Sequence, residues 1–226
     1  MNNMEEIAGL IDHTLLKPDA TDKDIIKLCS EAEEYGFASV CISPTYVNLA
    51  AEKLKGTKIK VCTVIGFPSG AHLTVIKVEE TLKAILDGAE EIDMVINIGA
   101  LKSGNENLVY NDIKSVCAIC KDKTVLSKVI IETALLSDKE KIVACNLTKK
   151  AGADYVKTST GFASHGATVE DVTLMSNIVK ESGIKVKAAG GIRSFSDLKA
   201  MIDAGASRIG ASAGIKIVEE AKNYLK

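Results

Sequence analysis

Two lysines stand near the ends of consecutive apolar segments in the last third of the chain. Lys157 lies in D-Y-V-K-T-S-T-G-F, just before a small polar turn, and Lys187 lies in I-K-V-K-A-A-G-G. Because side chains alternate along a strand, Lys157 lies opposite Val156 and Lys187 lies opposite Val186. Neighbouring ammonium groups destabilise each other's charged form, which favours the neutral amine that attacks a carbonyl. The pattern therefore points to a Schiff-base nucleophile.

Other charged residues share this inward orientation. Asp93 in E-I-D-M-V-I-N lies on the face opposite the apolar one, Lys128 and Glu132 share a face in S-K-V-I-I-E-T, and Lys185 shares the face of Lys187. Isolated buried charges cost several kcal/mol, so we expect these groups to be paired, hydrated or catalytic. A structural ion pair at the rim of the fold is the alternative for any single inward lysine.

A recurring phrase predicts the elements that must position these residues. Five segments each end a helix with a glycine suited to the left-handed position and then begin a strand: 34–42, 87–95, 150–158, 181–188 and 203–211. Four helix starts have capping-box spacing, namely Thr21/Asp24, Ser137/Glu140, Thr168/Asp171 and Ser194/Asp197. This alternation, without a Pro- or Ser-rich linker, indicates one parallel α/β domain over residues 1–226.

The strand count selects the architecture. The predicted strands are 9–13, 38–43, 60–66, 91–97, 127–132, 154–158, 185–189 and 207–210. Eight strands with intervening helices in 226 residues predict a single (β/α)8 TIM barrel with a short N-terminal helical extension. A doubly wound open sheet is the alternative, and the absence of G-x-G-x-x-G after the early strands disfavours its dinucleotide-binding form.

Glycine-rich segments follow the last two predicted strands. They read K-A-A-G-G-I-R-S and R-I-G-A-S-A-G, in which Gly190, Gly191 and Gly210 allow close approach to the backbone. Ser212 and the start of the next helix supply hydrogen-bond donors. Because (β/α)8 barrels often bind phosphate in these two loops, the segments predict a phosphorylated ligand.

Composition excludes several classes of function. A net charge of −2 argues against nucleic-acid binding, and no segment approaches the ~20 apolar residues of a membrane span. The acidic start predicts no signal peptide, hence a cytoplasmic protein without disulfides. The C-A-I-C of Cys117 and Cys120 lacks a second ligand pair at zinc-site spacing, so it predicts helix packing and not a metal site.

Six segments together resemble those of deoxyribose-phosphate aldolases over nearly the whole chain. They are I-D-H-T-L-L-K-P, V-C-T-V-I-G-F-P-S-G, E-I-D-M-V-I-N-I-G, K-V-I-I-E-T, Y-V-K-T-S-T-G-F and V-K-A-A-G-G-I-R. The resemblance implies a class I, Schiff-base aldolase that reversibly cleaves 2-deoxy-D-ribose 5-phosphate to D-glyceraldehyde 3-phosphate and acetaldehyde. It implies no metal and no other cofactor. We also expect a homo-oligomer, either a dimer or a tetramer.

The resemblance also implies roles for individual residues. Lys157 would form the imine, and Lys187 would perturb Lys157 and assist proton transfer. Asp93 would act as the acid of a relay with a bound water. Three residues would lie in or near the sugar pocket: Asp12, Thr14 and Cys41. Seven would lie in the loops on the phosphate side: Thr160, Gly161, Gly190, Gly191, Arg193, Gly210 and Ser212.

Two positions depart from the pattern, and two alternatives stay open. G-A-S-A-G carries one hydroxyl residue where relatives have two, and Tyr224 is placed differently from the C-terminal tyrosine of longer members, so we exclude it from the site. One alternative is another Schiff-base barrel aldolase, similar to transaldolase, which the Asp93/Lys187 set disfavours. The other is a phosphosugar-binding barrel without catalysis, which needs no paired lysines.

Overall fold

Eight parallel strands close into a barrel in the computed structural model, which describes residues 3–224. They are β1 (Ile11–Leu15), β2 (Ser39–Ile42), β3 (Lys60–Ile65), β4 (Glu91–Val95), β5 (Leu126–Ile130), β6 (Tyr155–Lys157), β7 (Lys185–Ala189) and β8 (Arg208–Ala211). Each strand pairs with the next one, and β8 pairs with β1. The predicted (β/α)8 TIM barrel is confirmed.

Helices surround the barrel and connect its strands. The short α1 (Met4–Ala8) is the predicted N-terminal extension, and it packs against the last helix. The others are α2 (Asp22–Tyr35), α3 (Val47–Lys53), α4 (Thr74–Leu86), α5 (Ile98–Lys102), α6 (Glu106–Asp122), α7 (Asp138–Ala151), α8 (Val169–Val179), α9 (Phe195–Asp203) and α10 (Gly214–Tyr224). Within residues 3–224, no helix combines the length and apolar character needed to cross a lipid bilayer.

Most helix boundaries follow the predicted capping signals. Gly36 and Gly152 end α2 and α7 in the left-handed conformation, as the recurring phrase predicts. Three capping boxes form as predicted, at the starts of α2, α7 and α9. At α8, Thr168 accepts from the backbone N–H of Asp171, but the carboxylate of Asp171 accepts from Lys141 Nζ at 2.5 Å. The fourth box is therefore incomplete because an ion pair engages its acid.

Several strands end earlier than predicted, and the backbone explains why. The strand predicted to reach residue 97 ends at Val95 because Asn97 caps α5. The strand predicted to reach residue 132 ends at Ile130 because Glu132 adopts the left-handed conformation, with φ 56°. The first strand begins at Ile11, two residues later than predicted, because Gly9 still caps α1.

The hydrophobic core lies mainly between the barrel and its helices. Outward-facing strand residues such as Val129, Val156 and Ile209 are fully buried there, and each such side chain stabilises the fold by about 1.5–3 kcal/mol. Cys117 and Cys120 face this core from α6, as predicted. The barrel interior differs because buried charged side chains occupy much of it, and those charges define the candidate site.

Candidate active site

The carboxylate of Asp93, on β4, lies at the centre of a fully buried charged cluster. Its Oδ1 is 2.6 Å from Lys128 Nζ, and its Oδ2 is 2.7 Å from Lys157 Nζ and 2.6 Å from Lys187 Nζ. Lys157 and Lys187 are direct partners on β6 and β7, so their side chains start at the same level of the barrel. The predicted inward orientation of all four residues thus brings them together.

Three further residues extend this cluster toward the N-terminal end of the barrel. Lys187 Nζ lies 2.5 Å from Asp12 Oδ2, and Arg208 Nη1 lies 2.6 Å from Asp12 Oδ1. Glu91 Oε2 lies 2.7 Å from Lys128 Nζ and 3.3 Å from Arg208 Nη1. Four cations and three carboxylates therefore form one connected network, which we call the lysine cluster: Asp12, Glu91, Asp93, Lys128, Lys157, Lys187 and Arg208.

Sequence reasoning missed part of the lysine cluster. Glu91 and Arg208 each stand two residues before a predicted site residue, Asp93 and Gly210, so strand alternation was the signal that could have found them. Lys128 was predicted to face inward but was given no role. By contrast, the prediction that Lys185 joins the interior is wrong. Lys185 is the first residue of β7 and is exposed at the N-terminal rim, with Nζ 5.9 Å from the centre of the Tyr155 ring.

The mutual contacts keep two of the acids and two of the lysines charged, namely Asp12, Asp93, Lys128 and Lys187. Burial by itself raises the pKa of Asp93, but the ammonium groups of Lys128, Lys157 and Lys187 outweigh it and hold that pKa well below its usual range. Lys187 responds in the opposite direction: burial lowers its pKa, but the carboxylates of Asp12 and Asp93 outweigh burial and hold that pKa well above the ordinary lysine value. Lys187 is accordingly a cation at neutral pH.

A cavity of about 210 Å³ opens above the lysine cluster, at the C-terminal ends of the strands. Lys157 and Thr14 line it, together with all seven residues predicted for the phosphate-side loops. The remaining predicted site residues lie beneath it inside the barrel: Asp12, Cys41, Asp93 and Lys187. Tyr224 does not line this cavity, and its ring instead packs 5.3 Å from that of Phe195.

Backbone conformation gives the phosphate-side loops their shape. Gly190 and Gly191 have φ of 85° and 80°, a region that disfavours residues with a side chain. At Gly210 a Cβ atom would approach the Cβ of Ala189 to 2.9 Å and Cε of Lys187 to 3.3 Å, so glycine keeps β8 close to β7. Ser212 is exposed two residues before α10, whose N-terminal N–H groups carry partial positive charge.

A small apolar group lies beside the lysine cluster on the β2–β3 side of the barrel. Cys41 and Cys62 are fully buried partners on these strands, and Leu16 and Phe67 pack against them. A hydrogen bond from Cys62 lowers the pKa of the Cys41 thiol. Cys62 also lies 3.2 Å from Asp93 Oδ1, so it is a further neighbour of the cluster that sequence reasoning missed.

Two groups of potential metal ligands occur in the described part of the chain, and both include carboxylates of the lysine cluster. Cys41, Cys62 and Asp93 have ligand atoms within 4.8 Å of one another, as do Asp12, Cys62 and Glu91. Their carboxylates already accept from lysine and arginine side chains at 2.5–2.7 Å. These acids are therefore engaged in ion pairs, and the absence of a metal requirement stays a prediction.

Comparisons with known proteins agree with one another. A family model described as DeoC/LacD family aldolase matches residues 7–220. The chain is 59% identical to the deoxyribose-phosphate aldolase of Caldanaerobacter subterraneus subsp. tengcongensis, over 97% of this chain and 95% of that protein. It is 60% identical to that of Streptococcus pneumoniae serotype 2, over 92% and 94% of the two chains.

Solved structures extend the similarity to the fold. A putative deoxyribose-phosphate aldolase from Coccidioides immitis has 47% identity and a TM-score of 0.94, covering 97% of this chain and 87% of that one. The deoxyribose phosphate aldolase from Aeropyrum pernix, whose structure is described as tetrameric, has 34% identity and a TM-score of 0.93, covering 99% and 94%. These values show the similarity to extend over the whole barrel.

Proposed function

The chain belongs to the DeoC/LacD family of aldolases, and from that premise we propose that Lys157 is its Schiff-base nucleophile, with Asp93 and Lys187 as the proton relay. The activity is that of a deoxyribose-phosphate aldolase, a lyase that reversibly cleaves 2-deoxy-D-ribose 5-phosphate to D-glyceraldehyde 3-phosphate and acetaldehyde. What remains to be assigned is the part that each residue of this chain plays.

One observation carries the assignment of the nucleophile. Among the lysines of residues 3–224, Lys157 alone lines the cavity, and its Nζ contacts one carboxylate, that of Asp93. Lys128 and Lys187 are fully buried, and each contacts two carboxylates at 2.7 Å or less. A substrate carbonyl in the cavity can therefore reach Lys157 without disrupting the rest of the cluster.

The charge balance of the lysine cluster supports the same assignment. Four cations face three carboxylates when every group is ionised. When Lys157 is the neutral amine, three cations face three carboxylates, and buried charges are least costly when they are paired. The nucleophilic state of Lys157 is thus also the balanced state of its surroundings.

The chemistry requires protons to move at two points. Attack of the neutral amine on the aldehyde carbon of the sugar gives a carbinolamine, and loss of water gives a protonated imine that accepts electrons. A base then takes the proton of the C3 hydroxyl while the C2–C3 bond breaks, which releases D-glyceraldehyde 3-phosphate and leaves an enamine. Protonation of the enamine carbon and hydrolysis of the imine release acetaldehyde.

The geometry around Asp93 suits this relay. Its Oδ2 contacts the nitrogens of both Lys157 and Lys187, so one carboxylate oxygen connects the nucleophile to a cation with a raised pKa. Asp93 itself stays ionised because the lysines outweigh its burial, so its carboxylate remains an acceptor for both lysine nitrogens. We assign Lys187 as the proton donor and Asp93 as the group that connects it to the reacting centre.

The phosphate would be bound in the loops after β7 and β8. Gly190, Gly191 and Gly210 leave room for close approach to the backbone, Ser212 adds a hydroxyl, and Arg193 adds a positive charge. Binding energy gained at this end of the sugar holds its carbonyl near Lys157, and such positioning lowers the barrier to reaction.

Three broader statements stay proposals. We propose a single domain over residues 1–226, because one closed barrel spans the strands from Ile11 to Ala211. We propose a homo-oligomer, a dimer or a tetramer, with support from the tetrameric structure of the relative from Aeropyrum pernix. We also propose that the protein acts in the cytoplasm, with no nucleic-acid partner.

The test is an assay of D-glyceraldehyde 3-phosphate release from 2-deoxy-D-ribose 5-phosphate. Lys157→Leu should abolish release, while Lys185→Leu, the same substitution at the exposed rim, should retain it. A folded Lys157→Leu protein that still turns over would refute the assignment of the nucleophile. A wild-type protein that binds the sugar phosphate without cleaving it would instead support the alternative of a non-catalytic binding barrel.

A further inference from the structure

Glu132 adopts a backbone conformation that is unusual for a residue with a side chain. It follows β5 with φ 56° and ψ 69°, and Thr124 is the other non-glycine residue with positive φ in the part of the chain that the structure describes. The side chain of Glu132 is buried, and its carbonyl accepts from the N–H of Leu135 at 3.0 Å. A left-handed backbone conformation is strained for a residue with a side chain. It persists only when the surrounding structure enforces it, and such residues are concentrated at functional sites.

The carboxylate of Glu132 binds one residue of the loop that follows Lys157. It accepts from the backbone N–H of Thr160 at 3.3 and 3.2 Å to its two oxygens, and from the hydroxyl of Thr160. The same hydroxyl oxygen accepts from the backbone N–H of Phe162 at 3.1 Å. Glu132 and Thr160 therefore hold three consecutive positions of the loop, 160–162, in one conformation.

This arrangement determines what the loop offers to a ligand. Both donors of Thr160 are directed to Glu132, although Thr160 lines the cavity. The next residue, Gly161, also lines the cavity and has φ 89°, so the loop turns there and its backbone faces the phosphate-side glycines. Glu132 does not line the cavity, so its influence passes through Thr160.

We propose that Glu132 is a positioning residue for phosphate recognition, holding residues 160–162 so that the backbone at Gly161 meets the phosphate together with the loops after β7 and β8. The inference rests on the proposed function, because it requires the phosphate to lie on that side of the cavity. The left-handed turn directs the carboxylate to Thr160, and the carboxylate fixes the loop. Lys157 and its ion-pair partner Asp93 lie on β6 and β4, and their contact does not involve Glu132.

The test compares a phosphorylated with an unphosphorylated substrate. Glu132→Leu removes the acceptor at similar volume, and kcat/KM is measured for 2-deoxy-D-ribose 5-phosphate and for 2-deoxy-D-ribose. The loss of hydrogen bonds to a carboxylate predicts a fall of about tenfold to 100-fold for the phosphorylated sugar, mainly through KM. The value for the unphosphorylated sugar should stay within about twofold of wild type, because it makes no use of the phosphate contacts.

Two further variants keep the test decisive. Glu132→Gln retains one acceptor oxygen and should restore most of the phosphate preference. Glu132→Ala also removes the acceptor, and it replaces Glu132→Leu if that variant does not fold. Asp154 provides the matched control, because its Oδ2 accepts from the N–H and the hydroxyl of Ser127, both at 2.8 Å, at the opposite end of the barrel. Asp154→Leu removes an equivalent pair of hydrogen bonds, to a backbone N–H and a hydroxyl, and should leave the ratio of kcat/KM between the two sugars unchanged.

The outcomes separate this inference from the proposed function. If wild type prefers the phosphorylated sugar and Glu132→Leu, or Glu132→Ala in its place, keeps the full preference or loses activity equally on both sugars, the positioning role is wrong and the phosphate site stands. If wild type itself shows no preference, the phosphate site is wrong, and the role of Glu132 is wrong with it.

Discussion

Replacing Lys187 with leucine should make the proton on Lys157 harder to remove. The two lysine nitrogens lie 2.6 and 2.7 Å from the same oxygen of Asp93, so they are no farther apart than the sum of those distances. Two unit charges about 5 Å apart repel each other by about 3 kcal/mol at an effective dielectric constant of about 20. Without Lys187 that repulsion disappears, and Asp93 pairs more closely with Lys157.

The expected effect is a shift in the pH dependence of imine formation. A change of about 3 kcal/mol corresponds to about two pH units, so the midpoint of borohydride trapping with acetaldehyde should move upward by up to that amount. The leucine also desolvates Lys157, which opposes the shift, but the ionised Asp93 keeps a direct contact with the ammonium. Trapping isolates the amine from the later proton transfers, so it reports this step specifically.

The matched control is Lys185→Leu, which alters an exposed residue of the same strand and should leave the midpoint unchanged. An unchanged midpoint in Lys187→Leu, together with lost aldol turnover, would refute the electrostatic reasoning. Lys187 would then act in proton transfer alone, without influencing the protonation of Lys157.

Asp93→Asn should lower the free energy of unfolding by about 3–5 kcal/mol in denaturant titrations at pH 7, because it leaves three buried lysines without their shared carboxylate; a loss below about 1 kcal/mol would contradict this. The pKa of Asp93 is lower in the folded than in the unfolded protein. Its contribution to the free energy of unfolding is therefore complete above about pH 4 and declines as the pH falls toward the folded-state pKa. Between pH 5 and pH 2, the free energy of unfolding should depend less on pH in Asp93→Asn than in wild type. In steady-state assays, unphosphorylated 2-deoxy-D-ribose should react about 10- to 150-fold more poorly than its 5-phosphate, because the loss of one charge-assisted contact corresponds to that factor. Equal rates with the two sugars would mean that the protein does not recognise the phosphate.

The fold was predictable because its signals are local. A glycine after a helix and a capping residue before the next one mark several of the element boundaries, and side-chain alternation along a strand fixes which residues face inward. Gly36 and Gly152 illustrate the first rule, and Asp93 and Lys157 illustrate the second. Neither rule depends on how distant parts of the chain meet.

What could not be predicted depends on distant contacts. Alternation placed Lys185 with Lys187, but the level of each residue along the barrel axis decides that Lys187 meets Asp12 and Asp93 while Lys185 meets solvent. Likewise, no local signal indicated that Arg208 pairs with Asp12, because they lie on the two strands that close the barrel.

The sequence also left the orientation of Glu132 unexplained. Extending β5 through residue 132 predicted an inward side chain, whereas the strand ends at Ile130 and a left-handed residue redirects the chain. That conformation is stabilised by Thr160, which follows another strand, so it could not be read from the residues around Glu132.

Mapping the reduced adduct shows which lysine carries the imine. Wild-type protein is incubated with acetaldehyde, reduced with borohydride, digested and analysed by mass spectrometry. We expect an ethyl group on the peptide that contains Lys157. We expect no such label on Lys128 or Lys187, whose side chains are buried beneath the cavity. A label on Lys187 with Lys157 unmodified would contradict the account.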